Sequence, residues 1–288
     1  MSRSSDSPSR TASAFRHNGW FPRAVVILPH QYPAQGGRVA SASFPIFRAY
    51  ARGLTAELGA LIAMSDLQGR EPDWNMRVSQ RRLLGELLAE ELQVLSELGE
   101  VPSADTIGVV VGGDVFVAQD LGKRGGKGDV REIWRCFRVR FRWVAGTPGN
   151  HDRFGEGVVP PDEFLSAPGI HYLDLGVVAI DGIRVGGLGG VIGNPSRPFR
   201  REECTFLESL EHVAVQAPDI IILHEGPAGR TTNRNGNEAI RDLLERLPKT
   251  LVLCGHSHWD GHEQEELANG TQVLNADARA YLILSEIG

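Results

Sequence analysis

Cysteine is scarce in this 288-residue chain: Cys136, Cys204 and Cys254 are an odd number set far apart. That count argues for a reducing, cytoplasmic setting, with Cys254, inside an apolar run, read as a buried thiol. Long apolar runs are missing too. No stretch approaches the roughly 20 residues that cross a bilayer, and the Ser/Arg-rich start lacks the apolar core of about 7–15 residues that a secretory signal needs. The expectation is a soluble protein with no membrane partner. Nor is basic charge in excess. Lys and Arg total 30 against 36 Asp and Glu, a net charge of −6, which disfavours nucleic acid or an anionic membrane as a general partner. Nucleotide fingerprints are absent as well. Glycines 186, 187, 189, 190 and 193 crowd one loop, but a dinucleotide fingerprint through Gly187 and Gly189 needs a third glycine where Ile192 stands, and no Walker-type lysine is present.

With 41% hydrophobic residues, the chain can bury the core of one large domain. Residues 1–22 hold six serines, three arginines and two prolines and read as a disordered tail. Residues 23–58 read as an N-terminal extension packing on the core: an apolar run from Ala24 to Leu28, a turn-rich stretch, then Phe44 to Leu54 with helical character. From about residue 59 strands and helices alternate. Leu61 to Met64 reads as a buried strand. Leu84, Leu87, Leu88, Leu92 and Leu95 share one helix face. Strand Ile107 to Val111, helix Arg131 to Arg138 and strand Phe141 to Ala145 follow. Tyr172 to Ile180 and Ile183 to Gly187 flank an Asp-Gly turn and read as a hairpin. Then come helix Glu202 to Val215, strand Ile220 to Leu223, helix Glu238 to Leu247 stopped by Pro248, and strands Leu251 to Cys254, Gln272 to Asn275 and Tyr281 to Leu284.

Five of these strands run into polar side chains: Asp66 with Gln68, Asp114, Asn150 with His151, His224, and His256 with His258. In α/β sheets, functional groups collect at the carboxyl ends of strands, where loops open into a crevice. Two carboxylates, two carboxamides and three imidazoles form a mixed oxygen and nitrogen set suited to Mn, Fe, Zn or Ni rather than Ca, and too large for one ion. Two ions are implied. Held about 3.5–4 Å apart, they clamp the oxygens of a phosphoryl group undergoing in-line displacement, and the net positive site favours a phosphoester.

The order Asp66 with Gln68, Gly113-Asp114, Gly149-Asn150-His151-Asp152, His224 and Gly255-His256-Ser257-His258 resembles the calcineurin-like metallophosphoesterase superfamily over residues 59–288. The resemblance implies an α/β (α+β) fold, a β-sandwich of two mixed sheets flanked by helices with a dinuclear site at one edge. It implies one ion on Asp66, Gln68, Asp114 and His258, the other on Asp114, Asn150, His224 and His256, with Asp114 bridging. It also implies attack by a hydroxide between the ions, with His151 protonating the departing oxygen and Asp152 holding the His151 tautomer. Two positions depart from the common pattern. Gln68 stands where His is usual, and Val117 where an acid or amide is common. A carbonyl oxygen in place of an imidazole tilts the first site toward Mn, with Fe, Zn, Ni and Mg as alternatives. It is similar to the Mn-dependent branch that splits ADP-ribose and CDP-alcohols, so the expected partner is a phosphorylated small molecule or nucleotide, cleaved as a phosphodiester or nucleotide diphosphate. A nuclease or phosphomonoesterase of the same fold, and a non-catalytic scaffold, are the alternatives. Asn194 and Arg197 are weaker candidates for phosphate contact, His262 reads as surface, and Arg135, Arg138, Arg140 and Arg142 read as a solvated basic stripe. Oligomeric state is not legible in the sequence.

Overall fold

The computed structural model describes residues 16–72, 81–118, 123–231, 233–259 and 264–286. In chain order its main elements are β1 (Arg16–Ala34), β2 (Arg38–Arg52), β3 (Ala60–Ser65), α1 (Leu84–Glu97), β4 (Ile107–Val111), α2 (Arg131–Arg140), β5 (Trp143–Gly146), β6 (Ile170–Tyr172), β7 (Gly176–Ile180), β8 (Ile183–Leu188), α3 (Glu203–Ala214), β9 (Ile220–Glu225), α4 (Glu238–Leu244), β10 (Leu251–Gly255), β11 (Gln264–Glu266), β12 (Gln272–Asn275) and β13 (Arg279–Ser285). They build two mixed sheets with strand orders β1-β2-β13-β3-β4-β5-β6 and β11-β12-β10-β9-β8-β7. In the first, β3 to β6 run parallel and β13 antiparallel to β3. In the second, β8, β9, β10 and β12 run parallel between antiparallel edges.

The central strands read as unbroken apolar runs because both of their faces are covered. Along β3, Leu61 and Ala63 meet Ile220, Ile222, Leu251 and Leu253 of the second sheet, while Ile62 and Met64 turn the other way, toward Leu84 and Leu88 of α1 and Trp134 and Phe137 of α2. Along β9, Ile221 and Leu223 pack under α3 and α4 through Phe206, Leu210 and Ile240. Period-two alternation thus feeds three apolar layers, and the chain is an α/β protein of two mixed sheets flanked by helices. No helix among the described residues is long and apolar enough to cross a membrane.

Three expectations are corrected. Arg16 to Pro22, expected in the disordered tail, begin β1, where Arg16 pairs with Arg52 and Gly19 with Tyr50; a ladder of main-chain hydrogen bonds asks nothing of side-chain hydrophobicity. Residues 1–15 of that expected tail lie outside the described residues. The span Phe44 to Leu54 is not helical. Most of it belongs to β2, where Phe44 and Ile46 enter the helix-side layer and Ala49 and Ala51 the layer between sheets, alternation too short to separate from helical spacing in the sequence. Finally, Tyr172 to Ile180 is not one strand. It divides into β6, which extends the first sheet, and β7, which opens the second, with Leu175 between them at φ 71°. The β7–β8 turn itself is as expected, with Asp181 and Gly182 at φ 47° and 79°, the sign that the favoured two-residue hairpin turn requires.

Ile222 is fully buried between the sheets. Ile222→Ala should lower the unfolding free energy by about 2–5 kcal/mol, read as a lower denaturant midpoint with an unchanged slope.

Candidate metal centre

Strands β3, β4 and β5 of the first sheet and β9 and β10 of the second deliver their C-terminal ends to one seam. The contacts across it are direct. The Gly112 carbonyl, just past β4, accepts from His224 Nδ1 on β9 at 2.8 Å, and Asp66 Oδ2, just past β3, accepts from the His256 amide beyond β10 at 2.9 Å. Such closeness needs small residues. A β-carbon at Gly255 would stand 2.4 Å from Asp66 Oδ2, and one at Gly149 would stand 2.0 Å from Asp114 Oδ1. Asp66, Asp114 and His256 adopt φ of 57°, 52° and 66°. A residue with a side chain occupies that left-handed region at a cost on the order of 1 kcal/mol or more, and here it turns each side chain into the seam.

Asp114 is the hub. It is 2% exposed; Oδ1 accepts from the His151 amide at 2.9 Å and Oδ2 from Gln68 Nε2 at 3.2 Å. His224 Nε2 stands 3.5 Å from Oδ2 and 3.3 Å from Asn150 Oδ1. The rings of His224 and His256 lie 5.0 Å apart. Ligand atoms of Asp114, His224 and His256 all fall within 4.8 Å of one another, close enough to share a cation, and carboxylate with two imidazoles suits a first-row divalent metal.

The electrostatics point the same way. Burial, then the Asp277 and Asp114 carboxylates, push the Asp66 carboxyl up to about 8 against the pull of His224. Burial alone would lower the His224 imidazole, but Asp114 outweighs it, aided by Asp66 and the Gly112 carbonyl, and raises it to about 10. Burial and the His224 charge hold His256 down at about 4. Two protons, on Asp66 and His224, therefore do the work of positive charge in a pocket whose donors fit a divalent cation.

The structure corrects the expectation for Asp152. Its carboxylate does not orient the His151 ring. It accepts from the amides of Asp114, Val115 and Gly149 at 2.9, 3.2 and 2.8 Å, tying the β4 and β5 loops together, and an anion presented with three N–H groups has no reason to reach for a side chain. The His151 ring is one-third exposed, with Nε2 4.0 Å from Asp114 Oδ2 and Nδ1 buried without a partner among the described residues. Burial lowers its imidazole pKa despite Asp114.

Asp277, between β12 and β13, escaped the sequence reading. Its Oδ2 lies 2.8 Å from His258 Nδ1, the kind of contact by which a carboxylate fixes a histidine's tautomer and leaves Nε2 free to bind a cation. No local signal marks it. Arg200 also escaped. No ion pair or hydrogen bond of its side chain exists among the described residues, yet its charge acts on His151 and His256. The weaker candidates fare differently. Asn194 caps its own turn through the Ser196 amide, Arg197 is exposed, and His262 lies outside the described residues. The basic stripe is engaged locally: Arg135 with Glu132 and Glu163, Arg138 with the Pro168 carbonyl, Arg140 with the Cys136 carbonyl and Arg142 with Asp181. Val117 is buried, and its carbonyl accepts from Arg70.

Comparison with known proteins gives a family and a likeness of fold. The calcineurin-like phosphoesterase sequence profile matches residues 61–260, a span that holds every candidate ligand. No curated protein matches the chain. Among solved structures, TT1561 of Thermus thermophilus is similar with a TM-score of 0.53 at 18% identity, over 77% of this chain and 90% of that one, a likeness of fold. Since the profile spans more than half of the sequence, the chain belongs to the calcineurin-like phosphoesterase family, whose activity is metal-dependent phosphoester hydrolysis.

Proposed function

We propose that the chain hydrolyses a phosphodiester or a nucleotide diphosphate at a centre of two divalent cations, with manganese the preferred ion. One observation carries the reading: the buried Asp114 carboxylate gathers donor groups from both proposed positions, with Gln68 and His224 both at Oδ2 and Asn150 against His224. A shared carboxylate between cations relieves their mutual repulsion. Asp66, Gln68, Asp114 and His258 would hold one ion, and Asp114, Asn150, His224 and His256 the other. The Gln68 carbonyl oxygen, harder than an imidazole nitrogen, favours Mn in the first position. Bound cations supply Lewis acidity toward phosphoryl oxygens and bring the pKa of water close to neutrality.

The chain's own groups complete the reaction. His151, whose ring makes no hydrogen bond within the described chain, gives its proton to the departing ester oxygen as the P–O bond breaks, while the oxygen of water forms the new bond to phosphorus. Its main-chain N–H bond to Asp114 keeps the imidazole beside the carboxylate that would hold the cations. Arg200, half-buried and without an ion pair among the described residues, would attract the phosphate. The local commitment of the Arg135 to Arg142 stripe and the net charge of −6 support a small-molecule substrate over nucleic acid.

Purified protein should carry about two Mn-class ions per chain and hydrolyse bis-p-nitrophenyl phosphate with Mn²⁺. His151→Ala should lower kcat about 10²- to 10⁴-fold with metal content unchanged. Full metal loading with no turnover on this ester or a nucleotide panel would refute the proposal. Because Asp66 and His224 are raised to about 8 and 10, both are protonated at pH 7 without a cation and must lose those protons to bind one. Calorimetry in buffers of different ionisation enthalpy should therefore record proton release on Mn²⁺ binding. The apparent affinity should rise between pH 6 and 8, about tenfold per unit for each proton displaced, and a flat profile would show that these groups are not ligands.

A further inference from the structure

Arg124 lies in the Gly-rich loop before α2, against the Asp66 flank of the centre. Its Nη2 donates to the Asp66 carbonyl at 2.9 Å. The next residue, Gly125, sits against the Gln68 carboxamide. Yet this half-buried guanidinium has no carboxylate within ion-pair distance among the described residues, and its Nε is buried without a partner. A cation so placed, satisfied by one carbonyl, is costly unless an anion completes it.

What holds Arg124 there comes from outside the span that matches the family. The guanidinium lies over the Tyr32 ring, 5.7 Å from its centroid, a stacking that favours arginine in this pose. Tyr32 is delivered by the β1–β2 hairpin, and the hairpin is locked to the Gln68 loop. Gln31 and Arg70 exchange main-chain hydrogen bonds of 2.8 Å in both directions, and Gln31 Oε1 accepts from Arg81 at 2.6 Å. The His30 ring, 2% exposed, lies directly against Gly69. Cations would answer the charge of the phosphoryl group under attack, so an arginine left without an anion beside them fits a second phosphoryl group.

Resting on the phosphohydrolase reading above, we propose that Arg124, braced by Tyr32, binds a second phosphoryl group, so that the centre selects a phosphoanhydride over a simple diester. The guanidinium donates to the oxygens of the phosphoryl group that is not attacked, and the N-terminal hairpin is the wall that sets this preference.

The test compares kcat/KM for ADP-ribose and for bis-p-nitrophenyl phosphate in Mn-loaded full-length protein. Arg124→Met should lower the ratio of the two about 10- to 100-fold, as loss of a charged hydrogen bond predicts, chiefly through KM for ADP-ribose. Arg124→Lys should restore part of it. Tyr32→Leu should lower the ratio and Tyr32→Phe should keep it. Equal losses on both substrates in Arg124→Met and Tyr32→Leu, with unchanged Mn content, would overturn the proposal, as would no loss on either. A second readout needs no turnover: by calorimetry the Mn-loaded protein should prefer inorganic pyrophosphate to orthophosphate, and Arg124→Met should erase that preference. If the wild type hydrolyses neither substrate, the phosphohydrolase reading falls, and the pyrophosphate measurement alone decides the subsite, an intact preference in Arg124→Met rejecting it.

Discussion

Asp114 places a carboxylate where two sheets meet and water does not reach, and everything around the seam makes that placement tolerable. An isolated buried charge costs several kcal/mol. Here one oxygen takes the His151 amide and the other the Gln68 carboxamide, with the His224 imidazole beside it, and the Asp114 main chain is pinned by Asp152. Remove any of these and the carboxylate loses either its partner or its position. The neighbouring carboxylates sharpen the demand. Asp66, raised to about 8 by burial and by Asp277 and Asp114, holds a proton at neutral pH unless a cation takes its place. Fold and function are coupled at this point, since the buried cluster around Asp114 is held at a cost without positive charge.

That discomfort is sustained by the rest of the structure. Asp66, Asp114 and His256 sit in left-handed conformations, tolerable because β3, β4 and β10 are buried on both faces and over-determine the path of the chain up to the last residue of each strand. The three apolar layers supply rigidity, and the strand ends spend it.

The hairpin at the start of the chain belongs to the same economy. It adds two strands to the first sheet through β13, sends Phe44 and Ile46 into one layer and Ala49 and Ala51 into another, and ends against the Gln68 loop. Strand β13 lies between this hairpin and β3, so the last strand of the chain seats the first two. Asp277, just before β13, orients His258. Groups from both ends of the described residues thus reach a centre whose candidate ligands all come from between them.

Much of this was legible in the sequence, and the reasons are local. Apolar runs such as Ile107 to Val111 mark their strands to the residue, because burial on both faces leaves little room for polar side chains inside them. Residue types at the strand ends announced a metal centre, since carboxylates, carboxamides and imidazoles in that order have few other uses. The parts that were not legible are those in which partners far apart in the chain decide. Asp152 sits beside His151, yet its carboxylate goes to the Gly149 amide and to the amides of Asp114 and Val115 in a much earlier loop, because three N–H donors outweigh one ring. Nothing near Asp277 foretells His258, and nothing near Tyr32 foretells Arg124, for each pair is made by sheet order and not by spacing. The sequence alone determined which donor groups stand at the strand ends, because donor type is a property of the side chain; only the tertiary structure decided which of them meet, because a buried charge takes its partner from whatever the packing of strands brings within reach.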